Sequence, residues 1–198
     1  CMELVMTQGK CLVTGEQIGP RTQDPLTFEN MDQVLEAFKQ QVSYFLSYTI
    51  KAINTFIKYH GKLAPNLFTS ALIDGCIESG LDVTRGGAKY KAIGINGVAS
   101  PDVGDSLAAI SYCVFDKKLL SMKDIVEAIK ADFKGYEKVR DILLYQAPKY
   151  GNDIDYVDNY VKIVGQIWCN EVEKYEGPHG EKYWPGQFTV SSNVPFGL

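Results

Sequence analysis

The sequence predicts a helix-rich α/β fold, with the look of a piece cut from a larger architecture. Three observations carry that reading. Apolar residues recur at three- and four-residue steps over two long stretches, 31–57 and 154–175, the period of amphipathic helices. Only two short runs, within 90–100 and 187–196, read as strands, and helices separate them. Two strands make no stable sheet by themselves, so further strands are expected outside these 198 residues.

The longest helix is predicted from Met31, with Asn30 as its N-cap. Its stripe runs through Val34, Leu35, Phe38, Val42, Phe45, Leu46, Ile50, Ile53, Phe56 and Ile57, and Gly61 followed by Pro65 marks the end. Such density of Phe and Ile requires more than one covered face. Leu67 to Ser79 reads as a second helix closed by Gly80. The adjacent Gly86-Gly87 lacks a P-loop ending and reads as a left-handed turn or a close backbone approach. Asp105-Ser106 is expected to cap a helix reaching Val114, and Ser121 to Asp124 is a capping-box start for a helix reaching Ala131. Tyr136 to Tyr145 is a further short helix. The last helix carries Ile154, Val157, Val161, Val164, Trp168, Val172 and Tyr175, with Asn152 or Asp153 as its cap, and Gly177-Pro178 stops it. Residues 178–186 are turn-rich, and Phe188, Val190 and Val194 alternate along the final strand.

Composition excludes several classes. Hydrophobic residues make up 45% and charged residues 22%, the balance of a folded chain. A net charge of -4 argues against nucleic acid or an anionic lipid surface as partner. No apolar run is long enough to span a bilayer. The opening Cys1-Met2-Glu3-Leu4 is not a signal peptide and reads as internal to a longer frame. The five cysteines, at 1, 11, 76, 113 and 169, include no CxxC pair, and His60 and His179 are far apart. Mostly buried, free thiols in a reducing cytoplasm are expected, with no metal site. Asn152, Asp153, Asp155 and Asp158 lack the mid-loop glycine and terminal glutamate of a calcium loop. The tyrosines crowding the last quarter lie in an acidic stretch, which assigns them to packing and hydroxyl hydrogen bonds.

Residue spacing alone stops there; an ordered set of motifs goes further. Gly15-Glu-Gln-Ile-Gly-Pro20, Asp74-Gly-Cys-Ile-Glu78, Gly86-Gly-Ala-Lys-Tyr90 and Gly104-Asp-Ser-Leu-Ala-Ala-Ile110 come first. Ala147-Pro-Lys-Tyr-Gly-Asn-Asp153 with Val157-Asp158, Trp184-Pro-Gly186 and Ser192-Asn-Val-Pro-Phe-Gly197 come after them. Together they resemble the central-to-late part of the glycyl radical enzymes of the pyruvate formate-lyase superfamily. The subgroup is that of glycerol dehydratase, choline trimethylamine-lyase, hydroxyproline dehydratase and the arylacetate decarboxylases. The resemblance covers essentially the whole chain.

It implies that residues 1–198 are part of a single domain, a ten-stranded barrel of two antiparallel half-barrels wrapped in helices. The chain would supply mostly outer helices and a few barrel strands. It implies a lyase, dehydratase or decarboxylase in which a thiyl radical takes hydrogen from a small substrate, anaerobically and in the cytoplasm. The radical is stored on a backbone glycine, installed by an iron–sulfur activating enzyme that uses S-adenosylmethionine, and the parent enzyme is expected to dimerise. No cofactor is expected on this segment itself.

Neither radical-bearing residue is carried over. The thiyl loop, Gly-Cys-Val-Glu in type, and the glycyl motif, Arg-Val-Ser/Ala-Gly-Tyr in type, do not occur in the sequence. Asp74 to Glu78 imitates the first but falls in a predicted helix that matches a non-catalytic segment. The segment matching Ser192 to Phe196 runs beside the substrate in the family. Alternation puts Asn193 and Pro195 on one face and Val194 and Phe196 on the other; the first pair, an amide and a small apolar wall, is assigned to the substrate cavity. Pro195 stands where some glycerol-dehydratase-like members have tyrosine. Gly97-Val-Ala-Ser-Pro-Asp-Val-Gly104 departs from the family's Gly-Val-Gly-Xaa-Ala-Asn run. A substrate other than glycerol or choline is therefore expected. The alternative class is a non-catalytic helical interaction module that keeps the fold remnant.

Overall fold

A computed structural model of the chain describes residues 1–188, so Asn193 and Pro195 lie outside the described residues. The described chain divides into two compact units, one of Cys1–Tyr44 and Val98–Ile167, the other of Phe45–Gly97 and Trp168–Phe188.

In the first unit, α1 (Met2–Met6) buries Leu4, Val5 and Met6. The loop after it folds back through a bridge between Lys10 and Gln17. Ile18 and Gly19 both donate to the Gly9 carbonyl. Gln41, fully buried, fixes this loop to α2 (Met31–Leu63): its amide donates to the Pro20 carbonyl at 2.9 Å. A Cβ on Gly19 would overlap the Gln41 side chain, which explains the second glycine of the Gly15–Pro20 motif.

Asn30 accepts from the Gln33 amide at 3.1 Å, the N-cap bond expected for α2. Val34, Phe38 and Val42 are buried along its predicted stripe, and Ala37 and Gln41 widen the buried face. The helix runs past Gly61 to Leu63. Gly61 is there for proximity rather than termination, because a Cβ would come within 2.8 Å of Arg85 Cγ and the Thr84 carbonyl.

Also in the first unit, α5 (Ser100–Ile110) buries Leu107, Ala108 and Ile110. It starts five residues before the expected Asp105-Ser106 cap, because Pro101 fixes its first turn and Asp105 is engaged elsewhere. It passes into a π-helical segment, Ser111–Asp116. The capping box of α6 (Met122–Lys130) forms as expected: Ser121 Oγ accepts from the Asp124 amide, and Asp124 Oδ2 accepts from the Ser121 amide at 2.8 Å. α7 (Glu137–Asp141) likewise continues as a π-helical segment, Ile142–Gln146. α8 (Asp155–Val172) has Asp155 and Asp158 in its first turn, where they oppose the positive end of the helix dipole. Asn152 does not cap it; its amide donates to the Lys149 carbonyl and ties the preceding loop.

In the second unit, the helix expected over 67–79 is broken in two, α3 (Leu67–Ser70) and α4 (Cys76–Ser79). Gly75, at φ +97°, forces the break, and a Cβ there would come within 2.5 Å of the Lys89 amide nitrogen. Gly80 closes α4 at φ +65° as expected. The Gly86-Gly87 pair is structural: Gly86 sits at φ +78°, and a Cβ on Gly87 would strike the Leu81 carbonyl. β1 (Ala92–Val98) pairs with β2 (Lys182–Phe188) in a two-stranded sheet. β2 begins inside the stretch expected to be turns. Of the predicted final strand, Gln187 and Phe188 belong to it, and residues 189–196 lie outside the described residues.

Candidate functional site

β2 ends four residues before Ser192 in the sequence, so the described residues nearest in sequence to the expected substrate wall are those that anchor this strand. In the second unit a small apolar core holds it: Leu46 and Ile50 of α2, Ile95 of β1, Val172 of α8 and Tyr183 of β2. Tyr183 donates its hydroxyl to Asn54 Oδ1 at 2.8 Å, and Asn54 in turn donates to the Glu176 carbonyl. Burial, then the charge of Glu181, raises the Tyr183 hydroxyl above its usual range, so it stays a donor. Trp168 donates its indole N–H to the Gly186 carbonyl at 3.0 Å. The same indole fills the space over Gly97, where a Cβ would sit 3.1 Å from the ring. The Trp184-Pro185-Gly186 motif is thereby fixed by its backbone, while Trp184 itself is exposed.

Sequence reasoning missed Glu171. It is 1% exposed; Lys174 Nζ donates to Oε1 at 2.6 Å, and Oε2 has no hydrogen-bond partner among the described residues. The signal was present, since Glu171 falls one turn past Trp168 on the apolar stripe.

In the first unit two distant motifs meet. The Tyr150 amide donates to Asp105 Oδ1 at 2.7 Å, joining Ala147–Asp153 to Gly104–Ile110. Gly104 packs on α8 so closely that a Cβ would overlap Val161. Beside this junction a cavity of about 450 Å³ is lined by Tyr112, Asp116, Lys117, Gln146 and Tyr156, among others. Tyr156 donates to Asp116 Oδ2 at 2.6 Å, Tyr112 meets its ring edge-on, and Lys117 lies over the Tyr112 ring. Burial, then the Asp116 bond, raises the Tyr156 hydroxyl, which keeps its proton. The cluster is hydrogen-bonded within itself, in keeping with a packing role for these tyrosines.

The cysteines fit structural thiols in part. Cys76 and Cys113 are buried, Cys11 and Cys169 half-buried and Cys1 exposed, so the expectation of mostly buried thiols is too broad. Burial pushes the Cys113 thiol up, whereas Cys11 is drawn down, first by the Thr14 backbone N–H. Cys76 opens the short helix α4 rather than a loop. Among the described residues no three His, Cys, Asp or Glu side chains converge as metal ligands. No helix there is long and apolar enough to cross a membrane.

Comparison with known proteins assigns the class. The model of the pyruvate formate lyase-like family matches residues 1–197, and the chain belongs to that family. A (2S)-3-sulfopropanediol dehydratase of Klebsiella oxytoca is 35% identical over 198 residues, which is 100% of this chain and 24% of the relative. A trans-4-hydroxy-L-proline dehydratase of Clostridioides difficile is 35% identical over 99% of this chain and 25% of its own length. The glycerol-bound B12-independent glycerol dehydratase from Clostridium butyricum superposes with a TM-score of 0.92 at 37% identity. That superposition covers 99% of this chain and 25% of the dehydratase. The chain thus spans about a quarter of the length of these relatives. The helix-rich α/β architecture matches part of their structures.

Proposed function

We propose that residues 1–198 are the central-to-late segment of a single-domain glycyl radical lyase, dehydratase or decarboxylase, and that this segment alone is inactive. The end-to-end likeness to dehydratases at 35% identity or more, over a quarter of their length, carries the reading. In it β1 and β2 are neighbouring strands of the ten-stranded barrel, and the helices wrap its outside. The glycyl and thiyl radicals belong to residues beyond this sequence. When present they supply hydrogen abstraction from a small substrate, and an S-adenosylmethionine iron–sulfur activating enzyme installs the first. Anaerobic, cytoplasmic action as a homodimer belongs to the same reading.

The role of this chain is to position. The Trp168 and Tyr183 hydrogen bonds fix β2, and the reading takes Asn193 and Pro195, which follow it in the sequence, as the substrate wall. Asn193 offers an amide and Pro195 a small apolar surface without a hydroxyl, which favours a substrate other than glycerol or choline. Misplacing a substrate by about 1 Å can cost about 100-fold in rate, so a rigid wall matters. The test is made in the parent enzyme. Pro195→Tyr is expected to change turnover or substrate preference while the melting temperature holds, and Phe196→Ala to lower stability by about 3–5 kcal/mol. Substrate choice controlled by Phe196, with Pro195 neutral, would invert the face assignment. A parent reading frame with neither a Gly-Cys-Val-Glu loop nor a glycyl motif would leave the interaction-module alternative.

A further inference from the structure

β1 and β2 present two unlike faces. On one, Ile95 and Tyr183 enter the core with Leu46, Ile50 and Val172, and Ile93 packs against them. The Trp168 indole closes that face over Gly97, so helices cover it. Residues two apart on a strand share a face. Ala92, Gly94 and Asn96 therefore look the other way, and all three are exposed. Gly186 of β2 joins them: a Cβ there would overlap the Asn96 side chain, which thus lies across the Gly186 backbone. Trp184 and Phe188, two residues to either side of Gly186, share its face and are exposed as well.

This second face is built as a recess. Gly94 and Gly186 leave it without side chains at two positions, and a Cβ added at Gly94 meets nothing within 4 Å. A barrel interior that is simply packed is filled by bulky branched side chains. Here the flanks are the aromatic Trp184 and Phe188, and the group between the glycines is the Asn96 amide, which both donates and accepts. That amide has no hydrogen-bond partner among the described residues. Burying an amide without a partner is costly, so whatever closes over Asn96 must bring it a donor or an acceptor. Apolar walls with a few polar groups that fix orientation are the makeup of a small-molecule site.

We propose that Asn96 is a substrate-binding residue whose amide holds a hydroxyl oxygen of a small substrate above the Gly186 backbone. This rests on the reading of β1 and β2 as barrel strands: helices wrap the outside of a barrel, so the helix-free face is the one that looks inward. Asn96 then adds a polar contact from β1 to the wall assigned to Asn193 and Pro195. Packed protein against Asn96, or open solvent, are the competing occupants, and the test separates them.

The test uses the full-length parent with Asn96→Cys or, should that variant fail to fold, Gly94→Cys on the same face. Labelling by methyl methanethiosulfonate is compared with labelling by a polymer-linked maleimide, and the peptides are read by mass spectrometry. The small reagent is expected to react in the native parent, and the polymer-linked one only after unfolding in urea. Native reaction with neither would mean that packed protein covers the face, and native reaction with both would put Asn96 on the outer surface; either overturns the proposal. Binding is read by calorimetry with ethylene glycol, lactate and serine as hydroxyl-bearing probes. Asn96→Ala is expected to weaken the tightest-bound probe about 10-fold at an unchanged melting temperature. Equal affinity in wild type and variant, or no binding of any probe, overturns the contact. The glycyl doublet of the wild-type parent tests the functional reading separately, so either can fail without the other.

Discussion

α6 and the α3–α4 segment are specified locally by the same device and differ in how much apolar surface they bury. Ser121 and Asp124 box the start of α6; Asn66 caps α3, and Glu78 closes on the Gly75 amide at α4. Yet α6 buries Met122, Ile125 and Val126, while Leu67, Phe68, Leu72 and Ile77 stand exposed. Capping thus sets where a short helix begins, and burial decides whether it stabilises the chain that contains it. The first region buries its apolar side chains among the described residues; the second holds its shape by polar bonds and leaves its apolar side chains exposed.

The contrast is sharpest in core truncation. Ile125→Ala in the 198-residue chain is expected to cost about 2–5 kcal/mol by denaturant titration, and Leu72→Ala less than about 0.5 kcal/mol. Comparable losses at both would mean that residues 56–77 are already packed in the chain alone. Gly104→Ala is next: the added methyl overlaps Val161, and overpacking of this kind costs about 1–3 kcal/mol.

Caps should not discriminate between the regions. Ser121→Ala and Asn66→Ala are each expected to cost about 1 kcal/mol. Their acid response should match too. The Ser121 hydroxyl holds the Asp124 carboxyl below its usual range, and the Thr84 hydroxyl does the same for Asp82. A carboxyl lowered on folding stabilises above its unfolded pKa, near pH 4, and loses that contribution as pH falls through the folded value. Asp124→Asn and Asp82→Asn should therefore each flatten the acid limb of stability against pH. An unchanged limb would remove the carboxylate from the account of that cap.

The smallest effect is a gain. Ala99 caps α5 at φ +66°, a left-handed conformation costly for any residue but glycine. Ala99→Gly is expected to stabilise by roughly 1 kcal/mol, measured as a raised denaturation midpoint; a loss would mean that flexibility outweighs the relieved strain.

How much was legible in the sequence depends on how local each cause is. The Asn30 cap, the Ser121–Asp124 box and the Gly80 stop all act within one turn, and all were readable. The break at Gly75 was not, because a long-range bond from Lys89 rewards it, and Asp105 was misread as a cap because its partner, Tyr150, is 45 positions away. Gly61 passed for a terminator since nothing local reveals the Thr84 backbone against it. Family was legible because ordered motifs survive where single contacts cannot be inferred. The substrate wall is assigned from the sequence to Asn193 and Pro195, which lie outside the described residues; the structure shows only the hydrogen bonds of Trp168 and Tyr183 that hold β2.

The most direct measurement of the central claim is electron paramagnetic resonance under anaerobic conditions. The parent protein and the 198-residue chain are each incubated with activating enzyme and S-adenosylmethionine. The account expects a glycyl-type doublet from the parent and no organic radical from the chain alone. A stoichiometric doublet from the isolated chain, or a well-folded parent that gives none, would contradict it.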